Sequence, residues 1–317
     1  MQIVKTVVVA AGLALVAGTA GAEENVSWGG SSPGGVMYYM VGAAGTVLSR
    51  DLEGYNVTQV TTGGSTENAK RLIKGEIDMG IVYGSHVYLA QKPDGPFKGG
   101  PKGTMLRGVA KAYEGPTYFV TVEGTGIKQM ADLEGKTVAL GPPGSGTVFN
   151  CSNILTALGM LDKIKPQMMT FADAGRAMGN GQIDAFCQSS SPAAAVKELA
   201  ETKPAVVVPF SDADLATIEK TYPFYYRATM KEGTYKGVPA VDLPYTTVYW
   251  VAHERVPNKT VKAILAHMYK PEIRQELVAG HKNWAQMSPS NKNFEKLGAP
   301  MHPGAVEFYK EAGLWEQ

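Results

Sequence analysis

The chain has 317 residues, with 30 Lys and Arg against 29 Asp and Glu, a formal charge of +1 and two cysteines. A near-neutral chain without basic tracts gives no reason to expect nucleic acid or an anionic membrane as partner. No C-x-x-C, H-E-x-x-H or clustered His occurs, and His253-Glu254-Arg255-Val256-Pro257 lacks the second His of a zincin, so no metal or other cofactor is expected.

The N-terminus, MQIVKTVVVAAGLALVAGTAGA, has the plan of a cleaved secretory signal: Lys5, an apolar core over 6–18, and Ala20-Gly21-Ala22 as an A-x-A site. The expectation is export to the periplasm, a cut near Ala22 and a soluble chain from Glu23. Removing residues 1–22 takes away one Lys and no acid, bringing the formal charge to zero. A chain of the remaining length ordinarily makes two domains.

After the signal, strand and helix alternate. VSWGG reads as a strand, VMYYMVGAAGTVLSRDL as a helix, VTQVTT as a strand, TENAKRLIKG as a helix and DMGIVYG as a strand. LRGVAKAY and PTYFVTVEG are extended runs. KQMADLEG reads as a helix and TVALG as a strand, followed by the loop GPPGSGT and its helix. MMTF (strand), DAGRAMGNG (helix), IDAFC (strand), AAAVKELAE (helix) and VVVPF (strand) follow, and from about Pro257 the chain turns helical. Such alternation predicts α/β lobes with mainly parallel sheets covered by helices.

Two stretches echo each other: Gly75-Glu76-Ile77-Asp78 and Gly181-Gln182-Ile183-Asp184 each lead from a helix into a strand. The Gly suits the left-handed position after a helix. Gly/Ser loops also recur before helices, at WGGSSPGG, TTGGST and GPPGSGT. The last loop is not a P-loop, because Thr147 stands where the Lys must be, nor a nucleophile elbow, because Pro143 and Thr147 replace the required glycines. Two lobes of similar plan follow, each offering helix N-termini at the carboxyl ends of its strands, the edge at which open α/β sheets bind ligands. LRGVAKAYEGPTYFVTVEG is the first crossing between lobes, and residues 222–233 the return. Residues 23–115 with 235–317 form the first lobe and 116–234 the second, hinged around a cleft suited to reversible capture of a small polar solute. The C-terminal helices are expected to buttress the first lobe.

The ordered set GGSSPGGVMYY, TTGGSTENAKRLIKGEIDMGIV, LRGVAKAY, GIKQMADLEGKTVALGPPGSGT, GQIDAF and MHPGAVEFYKEAG resembles the TAXI class of solute-binding proteins, the extracytoplasmic subunits of TRAP transporters. The resemblance covers essentially the whole chain after the signal. It implies a two-lobed type II periplasmic-binding-protein fold without enzymatic activity, a small carboxylate ligand such as glutamate, glutamine or 2-oxoglutarate, and a membrane permease of small and large subunits as partner, with the binding protein a monomer. Two stretches depart from the family pattern. Tyr83-Gly84-Ser85-His86 stands where Q-S-D is frequent, and Ser189-Ser190-Ser191-Pro192 replaces an A-G-x-P-like run. Both are expected at the cleft, so the ligand need not be the usual glutamate, and with no Arg-centred motif, carboxylate binding falls to amides and hydroxyls.

On that fold, Ser145, Gly146 and Thr147 are the first candidates to grip the carboxylate at a helix N-terminus, with Asn150 one turn on; plain N-capping is the alternative. Ser31, Ser32, Gly34 and Gly35 form the matching loop of the other lobe, and Gly64 and Ser65 a third helix start. Tyr83 and His86 follow a strand end, His86 with a switchable charge. Ser189 and Ser190 lie at the same edge beyond IDAFC. Cys151 and Cys187 default to a disulfide in an oxidising compartment, with two buried thiols as the alternative. A ligand-sensing protein serving a membrane receptor, and a secreted hydrolase using Ser145 or His86, are the competing functions; no ordered catalytic set supports the second.

Overall fold

The computed structural model describes residues 23–222 and 224–316. The expected signal peptide lies outside the described residues. Two sheets divide the chain. The first contains β1 (Glu24–Gly29), β2 (Tyr55–Val60), β3 (Met79–Tyr83), β4 (Leu106–Pro116), β10 (Tyr226–Met230) and β11 (Val241–His253). The second is ordered β7 (Lys165–Gln167), β6 (Thr137–Ala139), β8 (Ala185–Gln188), β5 (Tyr118–Val122), β9 (Ala205–Val207).

The plans match. β1 pairs in parallel with β2 and β3, as β6 does with β7 and β8. The next neighbour is antiparallel in both, β11 beside β3 and β5 beside β8. The repeated Gly-x-Ile-Asp turns have one job. Gly75 and Gly181 take φ of +68° and +70°, and each lets the following residue's N–H reach back to the helix end. Asp78 then accepts from the Ser27 backbone N–H at 2.9 Å, and Asp184 from Thr137 N–H at 2.7 Å. Each carboxylate ties the start of a third strand to a first strand.

Helices cover the sheets. α1 (Val36–Asp51) buries Met37, Met40, Val41, Ala44 and Leu48, a 3.6-period face, and α2 (Ser65–Ile73) precedes β3. All five residues of β3 are buried, as a central strand requires. In the second lobe α4 (Gly146–Ala157), α5 (Phe171–Gly179) and α6 (Ala194–Thr202) do the same, while α7 (Asp212–Thr221) packs on α4 and on β10 and β11 of the first sheet. α8 (Asn258–Met268) and α9 (Pro271–Gly280) pack on α1, and α10 (Asn291–Glu295) and α11 (Pro303–Glu311) on β4, all first-sheet elements. Under them Trp28 stacks on Trp250 with centroids 4.5 Å apart, and Trp284 meets Trp28 edge-on and donates to Met40 O.

The chain changes sheets at Thr117, between β4 and β5, and again between α7 and β10. β10 pairs with β11, which puts 226–230 on the first-sheet side of the second crossing, ahead of the expected boundary at 234/235.

Two local expectations differ from the structure. KQMADLEG forms only a 3-10 turn over Met130–Leu133, because the Gln129–Asp132 capping box opens a segment that Gly135, at φ +74°, closes at once. MMTF is not a strand: β7 ends at Gln167, and Thr170 caps α5, making Phe171 helical. α3 (Gly84–Gln91), a stretch for which the sequence pattern predicts no element, starts directly after β3.

Candidate ligand-binding site

Four helix N-termini meet where the carboxyl ends of the two sheets face each other. The cavity between them is lined by Gly35, Val36 and Met37 of α1, Gly64 and Ser65 of α2, Gly146 and Thr147 of α4 after Ser145, and Phe171 of α5. Ser31, Gly63, Tyr83, Gln188 and Ser190 complete the wall. First-turn amides have no intrahelical acceptor, and each helix start carries roughly half a positive charge. No Asp, Glu, Lys, Arg or His lines the cavity among the described residues. The helix-start dipoles therefore favour an anion here.

The lobes are in contact, and the cavity left between them holds about 20 Å³, room for about one water molecule. Glycines permit the approach. A Cβ on Gly63 would sit 2.3 Å from Pro143 O, and one on Gly146 would sit 2.5 Å from Cδ2 of Tyr83. Gly64 has φ +125° and ψ −151°, a conformation open essentially to Gly alone. Backbone bonds cross the cleft from Glu67 N–H to Gly144 O (2.9 Å), Ala172 N–H to Pro33 O (3.3 Å) and Ala195 N–H to Gly34 O (3.4 Å).

Tyr83 leaves the end of β3 and reaches the other lobe. Its hydroxyl donates to Ser189 O at 2.5 Å, which commits its only proton. The 2.9 Å contact with Ser190 Oγ is therefore a bond donated by Ser190, and the 2.7 Å contact between Ser190 Oγ and Tyr113 is donated by Tyr113. Tyr118 likewise gives its proton to Ser190 O, so Tyr235 donates to Tyr118 and accepts from Ala193 N–H. Burial raises the pKa of all four phenols, keeping them neutral donors.

The candidates divide accordingly. Ser31, Gly35, Gly64, Ser65, Tyr83, Ser145, Gly146, Thr147 and Ser190 line one cavity. Ser32, Gly34, Asn150, Ser189 and His86 do not. Ser32 is buried beside it; Gly34 abuts Ala172 of the facing lobe. Asn150 accepts from the Tyr225 hydroxyl at 2.9 Å, deeper in α4. Ser189 contributes its carbonyl to Tyr83. His86 is fully buried between Thr66 Oγ1 at 2.9 Å and Ser85 Oγ at 3.2 Å, with Phe149 of the other lobe edge-on at 4.8 Å. Burial, with the charge of Lys70 added, lowers its pKa to about 3. It is a neutral packing residue at the lobe interface, not a switchable charge facing the ligand.

Several hydroxyls expected at the ligand serve the fold. Ser145 Oγ caps α4 by accepting Val148 N–H at 3.0 Å, Ser31 Oγ accepts Tyr38 N–H at 3.1 Å and Ser65 Oγ accepts Tyr83 N–H at 3.2 Å. Sequence reading missed Gln188, Phe171, Gly63, Val36 and Met37. Gln188 is the last residue of β8, one beyond the IDAFC run, and a count to the strand's carboxyl end would have reached it. Cys151 and Cys187 are disulfide-bonded, with Cα atoms 6.4 Å apart, joining α4 to β8 behind the cavity.

A solved structure from Bordetella bronchiseptica RB50 is similar over 91% of this chain and 98% of its own, at 15% identity and a TM-score of 0.56. The periplasmic aliphatic sulphonate binding protein SsuA from Escherichia coli matches over 92% and 94%, at 16% identity and a TM-score of 0.48. The architecture is two-lobed and α/β, each lobe a sheet flanked by helices, and the Bordetella structure shares that fold. The NMT1-like family model matches residues 29–313, and the chain belongs to that family.

Proposed function

We propose that the protein is an extracytoplasmic solute-binding protein that captures a small carboxylate by hinge closure and hands it to a membrane permease. The observation that carries this reading is the cavity itself: four helix starts converge on a space with no charged side chain. Such a site attracts an anion through backbone amides, and no Asp, Glu, Lys, Arg or His lines it among the described residues. The cavity of about 20 Å³ has room for about one water molecule, so capture of a C4 or C5 acid has the lobes part and close again about the ligand. The finer reading, delivery to a TRAP-type permease driven by a sodium gradient, rests on the ordered motif set from GGSSPGG to MHPGAVEFYKEAG.

Two measurements test this. Thermal unfolding of refolded protein is scanned against carboxylates, sulfonates, sugars and nucleotides. A carboxylate at 100 times its Kd stabilises by about 2.7 kcal/mol, a clear shift. A response to sugars or nucleotides alone refutes the carboxylate. Uptake into vesicles carrying the cognate permease then follows an imposed sodium gradient; uptake that needs ATP instead removes the TRAP reading and leaves the capture reading intact.

A further inference from the structure

The cavity presents first-turn amides and, among the described residues, no carboxylate, and that combination discriminates among small acids. Several acceptors of the lining loops are already engaged, Gly144 O and Pro33 O across the cleft and others within their own lobe. Ser32 O accepts from Gly35 N–H and the Ser31 hydroxyl, Pro142 O from Ser145 N–H, and Gly141 O from Met169 N–H. Glu67, the carboxylate nearest the loops, accepts Gly63 N–H at 2.7 Å and is not part of the wall. Gln188 lines the cavity with its side chain 2% exposed and its Nε2 without a hydrogen-bond partner. A buried amide donor left unpaired is costly, and it is paired when a ligand brings an oxygen to it.

An ammonium group is the opposite case. It carries three donors and a positive charge, needs acceptors or a carboxylate when buried, and would lie among helix ends of its own sign. Resting on the anion-capture reading above, we propose that the ligand is a small acid bearing a carbonyl or hydroxyl oxygen and no ammonium group. Its acid group lies on the helix starts and its second oxygen accepts from Gln188 Nε2. Gln188 is thus a specificity-determining residue, and 2-oxo and 2-hydroxy acids are the ligand class, with amino acids excluded.

Calorimetric titration of refolded protein with matched pairs tests this: 2-oxoglutarate and glutamate, pyruvate and alanine, glycolate and glycine, isethionate and taurine, with the bare acids glutarate and propionate alongside. In whichever pair binds, the oxygen member is expected to bind at least 100-fold tighter than its amino partner. Gln188→Leu should weaken the oxygen member tenfold to 100-fold and leave the bare acid unchanged. An amino member that binds as tightly as its partner, or a Gln188→Leu loss shared equally by the bare acid, overturns the proposal while the anion site stands. Failure of every acid, bare acids included, overturns the anion site and the proposal with it. Should Gln188→Leu not fold, the matched pairs on the unsubstituted protein decide alone.

Discussion

Gly146→Ala separates closure from folding. Gly146 opens α4, and its φ lies outside the left-handed region, so Ala brings no backbone strain. Its Cβ would lie 2.5 Å from Cδ2 and 2.7 Å from Cε2 of Tyr83, and 2.8 Å from Cβ of Ser65, all on the facing lobe. Carbon atoms rest at about 3.5–4.0 Å, so roughly 1 Å of separation is needed. Tyr83 has little room to retreat, being buried in the closed form, with its N–H on Ser65 Oγ and its ring against Gly115. The lobes must part instead. Parting breaks the bonds from Tyr83 to Ser189 O (2.5 Å), Glu67 N–H to Gly144 O (2.9 Å) and Thr66 Oγ1 to Ser145 O (3.3 Å). At about 1 kcal/mol each, closure weakens by roughly 2–3 kcal/mol, or about 30–150-fold. Each lobe keeps its core, and Ala is the better helix residue by up to about 1 kcal/mol. Small-angle scattering should give a larger radius of gyration than for the unsubstituted protein, ligand affinity should fall by that factor, and Tm should change by only a few degrees. An unchanged radius and affinity with a collapsed Tm would show that Gly146 matters to folding and not to closure.

Asn68 is fully buried, donates to Gly30 O at 2.8 Å and Ile81 O at 3.0 Å, and accepts from Thr62 at 2.7 Å, knitting β1, β3 and the loop before α2. Asn68→Leu should cost about 2–4 kcal/mol in urea unfolding; a loss under 1 kcal/mol contradicts the bonding. His86 has its folded pKa lowered to about 3 against an ordinary 6.5, so as pH falls the unfolded chain takes the proton first. Its contribution is complete above pH 6.5 and drains toward pH 3, about 2 kcal/mol being lost between pH 7 and 5. Urea midpoints for the protein and for His86→Gln should show the slope flattened in the variant, and equal slopes would refute the buried neutral ring. Reducing the Cys151–Cys187 bridge, which closes a 36-residue separation, should cost roughly 2–4 kcal/mol by chain entropy; an identical Tm with and without reductant counts against that loop-closure term.

The alternation of elements, the paired Gly-x-Ile-Asp turns and the Gly/Ser loops were legible because each is a local signal: a period, a left-handed glycine, a helix start. What escaped depends on distant partners. β11 carries Pro244 and no clean alternation, yet pairs with β10, β3 and β4, and those contacts make it a strand. His86 looked like a cleft residue by its position after β3, and only the arrival of Phe149 from the other lobe seals it. The serine hydroxyls were read as ligand donors, but a hydroxyl beside a helix start is as readily used by the first-turn amides themselves. Gln188 is within reach of a count to the carboxyl end of β8, but its unpartnered amide shows only in the packed structure.

The most direct test of the account is a crystal structure of the protein with a carboxylate that shifts its unfolding. The acid group is expected within about 3 Å of the Gly146 and Thr147 amides, facing the starts of α1 and α2 across the cleft. A ligand whose acid group points to solvent, or whose apolar end occupies the helix starts, would contradict it.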